Sequence, residues 1–309
     1  MKISNSFSGS IKGVLFACSS ALGVTLVYLC SRLLTATMTT ELLLFWWFAL
    51  ASAWAAIALL VERETAAGFA RVIRSHFRFF GLYMLLESAA TLSFFFVIRF
   101  VNPSIVSFFD ILSPLFVTVI AFFYLKEKLK KVEIFGAIVS ICGVAVLTYV
   151  SPEVKPVFLM LIVMQVLFYS TSSILAKKKI RAIPPMAITC FRVFCLSALC
   201  VLRILWKGGV RWPSPGEFFF LVVGSAAGPV LGAFCLFSAM RHIQVTKIFL
   251  IKNAQPFLVV LMSTLLLKIP LSMRQLAGGT IIFVGIFFVV AGKTGEIKLL
   301  WRRLAGDEK

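Results

Sequence analysis

Residues 104–129 read SIVSFFDILSPLFVTVIAFFYLKEKL, an apolar run of membrane length closed by a basic cluster and interrupted by Asp110 and the Ser113-Pro114 pair. A second copy, VTKIFLIKNAQPFLVVLMSTLLLKIPL, occupies residues 245–271. An offset of 142 in residue number aligns Pro114 with Pro256, Leu125 with Leu267, Lys126 with Lys268 and Leu129 with Leu271. The register runs on to pair Gly136 with Gly278 and Gly143 with Gly285, and back to pair Arg99 with Arg241. Two halves of the chain are therefore copies of one unit. Where the first copy has Asp110, the second has Lys252, an acid answered by a base.

The 309 residues are 61% hydrophobic and only 14% charged, with a mean hydropathy of +1.01. A water-soluble domain carries roughly 25% charge and under about 50% apolar residues, so this much apolar surface needs lipid around it. Runs of about 20 apolar residues match the hydrocarbon thickness of a bilayer. The first run, 13–29, is too long for a signal-peptide core and lacks a small-residue cleavage site, so it is expected to be a retained helix. The net charge of +19 sits in short loops between apolar runs, which points to membrane topology and lipid contact and away from nucleic acid. All seven cysteines fall inside apolar runs without a CxxC or a nearby histidine, and read as small apolar fillers. His76 and His242 stand at helix ends, so no metal and no cofactor is expected.

The predicted fold class is an all-α integral membrane protein, ten transmembrane helices arranged as two inverted five-helix repeats. The spans are 11–34, 41–61, 79–98, 104–125 and 132–150, then 157–176, 185–202, 218–240, 245–267 and 273–291. The repeats divide at 1–150 and 151–292, followed by a basic tail, 293–309. Lys and Arg concentrate at the termini and after even-numbered spans, as at Arg71, Arg74 and Arg78 or Lys177, Lys178, Lys179 and Arg181. That bias predicts an inner-membrane protein with both termini cytoplasmic, although Arg203, Lys207 and Arg211 run against it. Five is an odd number, so the second copy must insert upside down relative to the first. Inverted repeats of this kind make two opposite-facing states nearly equivalent. The segment 62–78 (ERETAAGFARVIRSHFR) and the tail after Gly295 mix apolar and basic residues and are expected to lie on anionic lipid. For the first of these, plain topology-fixing charge is an equal alternative.

Ionisable groups inside a bilayer cost a few kcal/mol each and are functional candidates. Four stand out: Glu87, Asp110, Arg192 and Lys252. Counted at 1.5 Å per residue, each lies about 10 Å or more inside its nearer membrane face. One central aqueous cavity walled by these four is expected; salt bridges that merely hold helices together are the alternative. Gln165, Tyr169 and Ser172 recur at i, i+4 and i+7, one helical stripe, while Asn253 and Gln255 flank the break at Pro256. Ser19, Ser20, Gly23 and Thr91 could line the same cavity or serve as helix–helix glue. Trp46 and Trp47 are expected at the interface or facing lipid. Spans five and ten carry the glycine pairs and no intramembrane charge, so they read as structural, or as the contact of a homodimer.

These features resemble the EamA domain of the drug/metabolite transporter superfamily. The residues that carry the likeness are the Pro-centred fourth span running into LKEKL at Leu125, the Gly-rich fifth span, and PPMAITCFRVFCLSAL from Pro184, in which Arg192 follows a Pro-led helix start. Glu127 matches the acid at the end of the fourth span. The first repeat departs in having Trp46 at the position of that arginine, and the second has Ile269-Pro270 in place of the acid. The resemblance implies a secondary transporter, not an enzyme, whose cavity is walled by spans one to four and six to nine. Its expected cargo is a small polar metabolite, zwitterionic or anionic, such as an amino acid or derivative. Lys252 and Arg192 would hold the anionic group, with Glu87 or Asp110 for the cationic end or a coupling proton. Exchange of a phosphorylated or nucleotide-linked metabolite is the alternative.

Overall fold

The computed structural model describes residues 2–62, 66–125, 130–243 and 245–294. Most of the LKEKL motif, with Glu127, and the tail from Gly295 lie outside the described residues. The described chain is helical throughout. Its elements are α1 (Lys2–Thr37), α2 (Thr40–Val61), α3 (Ala66–Ser75), α4 (Phe77–Val97), α5 (Pro103–Asp110), α6 (Ser113–Leu125) and α7 (Lys131–Tyr149). There follow α8 (Pro156–Lys179), α9 (Pro185–Lys207), α10 (Pro215–Ser225), a π-helical turn (Ala226–Gly232), α11 (Ala233–His242), α12 (Val245–Lys252), α13 (Gln255–Leu267) and α14 (Met273–Thr294). Among the described residues nine helical stretches are long and apolar enough to cross a membrane, and Gln255–Leu267 is apolar but shorter.

The two copies of the organising stretch are each broken into half-helices, α5 and α6 around Ile111-Leu112, and α12 and α13 around Asn253-Ala254. Pro114 and Pro256 have no N–H and their rings clash with the carbonyl four residues back, which belongs to Asp110 in one copy and Lys252 in the other. The helix therefore ends at the ionisable residue both times. The carbonyl freed at Asp110 accepts the Ser113 hydroxyl at 2.9 Å. Helix limits repeat with the sequence register: 103–110 and 245–252, 113–125 and 255–267, and starts at 131 and 273.

Packing follows the same correspondence. α1 lies against α11 as α4 lies against α8, while α2 pairs with α9, α5 with α13 and α7 with α14. Basic side chains satisfy orphan carbonyls at helix C-termini in matching places. Arg32 on α1 donates to the Ile98 carbonyl at 3.1 Å, and Lys177 on α8 donates to the Ile243 carbonyl at 3.0 Å.

The glycine faces of α7 and α14 are used against each other within the chain. A Cβ built on Gly285 would stand 2.5 Å from the Ser140 nitrogen and 2.7 Å from the Gly136 oxygen, and one on Gly136 would stand 2.5 Å from the Gly285 oxygen. Backbone cannot yield there without parting the helices. Gly285→Ala or Gly136→Ala should therefore lower the melting temperature, by roughly the 1–3 kcal/mol typical of overpacking. Gly81→Ala, where nothing lies within 4 Å, should be neutral or slightly stabilising; thermal unfolding of the three variants checks this.

Two elements differ from expectation. The apolar side of α3 is turned, in part, onto protein: Phe69 meets the Phe194 ring edge-on at 6.1 Å, while Arg71 and Arg74 remain exposed. Trp46, in the second turn of α2, donates its Nε1 to the Arg211 carbonyl at 3.0 Å. Trp47, expected at the interface or in lipid, is buried, packing on Phe95 and filling the space that the absent side chain of Gly224 leaves. A ring needs only a glycine opposite to turn inward, and that pairing is not visible from span two alone.

Candidate functional site

A cavity of ≈ 160 Å³ lies at the centre of the bundle, space for several waters or the body of a small solute. The structure brings Glu87, Asp110, Gln165, Tyr169, Arg192, Lys252, Asn253 and Gln255 together on its wall. Ser20 and Thr91 line it too, whereas Ser19 is exposed outside and Gly23 is a close-packing point 2.4 Å (to a built Cβ) from the Ala227 carbonyl. The broken helices explain the convergence. Each break ends a half-helix at a charged residue in mid-bundle, where an unbroken helix would have carried the chain past.

The four charges are held in different ways. Glu87 lies 2.7 Å (Oε2) from Arg192 Nε and accepts the Ser172 hydroxyl at 2.6 Å through Oε1. The Arg192 Nε–H is not aimed at that oxygen, so the contact is an ion pair, with a donor left over. Asp110 has no cation in ion-pair contact among the described residues. Tyr28 donates its hydroxyl to Oδ2, and Gln165 Nε2 donates to Oδ1 at 3.0 Å. Lys252 Nζ donates to the Tyr169 hydroxyl at 3.2 Å and forms no salt bridge among the described residues. As the last residue of α12, Lys252 also has the negative end of that helix beneath it.

Several polar atoms on this wall are buried without a hydrogen-bond partner: Gln165 Oε1, Asn253 Nδ2, Tyr83 Oη, Ser20 Oγ and, although it is ion-paired with Glu87, Arg192 Nε. Each such atom costs about 1–3 kcal/mol unless something in the cavity satisfies it. Between them they offer an acceptor beside Asp110, donors beside Lys252 and Glu87, and two hydroxyls. Trp47, Phe48, Phe94, Phe95, Phe237 and Phe249 supply apolar wall. Among the described residues no His, Cys, Asp and Glu group could hold a metal ion.

Tyr28 and Tyr83 escaped the sequence reading. Tyr28 continues the α1 face of Ser20 and Val24 at i+8 and i+4, a stripe that reading on from Ser20 would have found. The π-helical turn was also missed; its Gly228 and Pro229 line the cavity, and Gly228 sits where a Cβ would meet Val27 Cγ2 at 1.9 Å. The signal was a proline inside an apolar span, flanked by glycines, which widens the helical turn.

Such an arrangement, apolar helices of membrane length around a small charged cavity, is that of a multi-pass membrane protein. The model of the EamA-like transporter family matches residues 11–149 and again 157–291, and the chain belongs to that family. It is similar to a protein of Archaeoglobus fulgidus described as an uncharacterized transporter, 26% identical over 137 residues, which is 44% of this chain and 47% of that one. The match thus spans about half the length of that relative. A solved crystal structure of a protein shares the fold at a TM-score of 0.63 and 19% identity, covering 97% of this chain and 99% of the other.

Proposed function

We propose that this chain is an inner-membrane carrier with both termini in the cytoplasm. Its ten spans, counting α12 with α13 as one, form two inverted repeats that move a small zwitterionic solute, such as an amino acid or derivative, by alternating access. The observation that carries the solute class is the charge arrangement. Among the described residues, one cavity holds an acid in no ion pair (Asp110) and a cation in no ion pair (Lys252), with unpartnered donors and acceptors beside them. An ammonium fits Asp110 and Gln165 Oε1, and a carboxylate fits Lys252 and Asn253 Nδ2. A cavity of ≈ 160 Å³ has room for the body of such a molecule. The exchange of contacts that matched helix pairs allow, α1–α11 against α4–α8, supports the alternating motion. A solute shifts that equilibrium only by contacting the two states differently. A homodimer through α7 and α14 would have to use their outward faces, with Ile134, Ile138 and Ile141 exposed, because the glycine faces are occupied.

The purified carrier, screened by thermal shift against amino acids, amines, carboxylates and sugar phosphates, should be stabilised by compounds bearing both an ammonium and a carboxylate. Stabilisation by phosphates alone would replace this reading with the phosphorylated-metabolite alternative. Flux of the stabilising compounds into proteoliposomes then separates a carrier from a receptor.

A further inference from the structure

We propose that Asp110, with Tyr28 and Gln165, is a proton-binding site, the group on which a coupling proton rides through the carrier, and that Glu87 is not. This rests on the carrier reading for its purpose, and on the geometry alone for its chemistry.

The two intramembrane carboxylates differ in what binding a proton would break. Protonating Glu87 would strand Arg192, its partner at 2.7 Å, as an uncompensated and largely buried cation. Protonating Asp110 breaks no ion pair. Its two partners are neutral, a phenol and an amide, and one Oδ–H can form while the other oxygen keeps its donor. The freed Tyr28 hydroxyl can in turn accept from Asp110, so the local hydrogen bond survives in either state. No bond other than O–H changes; the proton comes from water on the side to which the cavity is open and returns to water on the other.

From α1 Asp110 faces Tyr28, from α8 Gln165 and Tyr169, and from α12 Lys252 across the cavity; α6 contributes Ser113. Glu87 of α4 and Arg192 of α9 line the same space as a neutral pair. α13 and α14, which also pack on α5, turn Phe257 and Gly279 to its Phe108. Deprotonated Asp110 and Lys252 cancel in the cavity, and protonation of Asp110 leaves Lys252 as the one net charge there among the described residues. The solute carboxylate would then meet an uncancelled cation, while the solute ammonium and the proton compete for Asp110, so that proton and solute are linked through one carboxylate.

The test needs no solute. Infrared difference spectra of the purified protein, recorded while the pH is lowered, should show the carboxylic C=O band of a proton held away from bulk water. We expect that band in the wild type and in Glu87→Gln, its loss in Asp110→Asn, and its displacement in Tyr28→Phe, where one hydrogen bond to the carboxyl is gone. A band that persists in Asp110→Asn, or vanishes in Glu87→Gln, overturns the proposal. Should Asp110→Asn fail to fold, Tyr28→Phe decides: an unmoved band overturns the assignment. If the band behaves as expected while no solute stabilises the protein, the cargo reading fails and the proton site stands.

Discussion

Lys252→Ala should abolish solute flux into proteoliposomes while the protein still accumulates in the membrane and melts at or above the wild-type temperature. Both halves of that result follow from how Lys252 is held. Among the described residues its hydrogen-bond partner is the Tyr169 hydroxyl, with the Tyr169 ring centroid 5.4 Å from Nζ, so removing the ammonium breaks no salt bridge, and Asp110 across the cavity keeps its own donors, Tyr28 and Gln165. A partly buried charge without a counter-ion is itself a cost, and its removal is neutral or stabilising. The loss therefore falls on binding. A hydrogen bond from a charged donor contributes about 1.5–3 kcal/mol, or about 10- to 100-fold in affinity, and alternating access needs that contact to differ between states. Thermal shift and flux measured on one preparation check both halves. Normal flux through the variant would remove Lys252 from the site, and a collapse of stability would show that it holds the bundle together.

Why some of this was legible in the sequence is a matter of range. The 142-residue register exposed Pro114 and Pro256 as equivalent, and proline acts on the carbonyl four residues back, so the positions of both helix breaks followed from local chemistry. The membrane setting and the four intramembrane charges were equally plain, because desolvating a charge is costly wherever the helix packs. What could not be read were pairings. Glu87 and Arg192 are 105 positions apart, and nothing on α4 says that its carboxylate meets α9 while Asp110 on α5 meets only neutral donors. The inward turn of Trp47 depended on Gly224, and the wide turn at Pro229 lies against Val27 of α1, which meets it at Gly228. Charge tells that a site exists; only packing tells which charges are already spent.

Arg192→Met brings out that difference, since it removes the same charge from the same cavity as Lys252→Ala and should do the opposite to stability. Glu87 keeps 4% of its side chain exposed, and without the guanidinium it retains only the Ser172 hydroxyl. Breaking one side of a buried pair costs about 3–5 kcal/mol, because the remaining charge has neither water nor partner. The single variant should therefore melt well below the wild type and accumulate poorly. Glu87→Gln in the same background removes the stranded charge, and the double variant should regain most of the lost stability, since a neutral pair of similar volume is often no worse than the ions it replaces. Flux should not return with it if Arg192 also meets the solute through its spare Nε–H. Recovery of stability and flux together would assign the pair to helix packing alone. Recovery of neither would mean that the Arg192 stem, rather than its charge, is what α4 and α9 need between them.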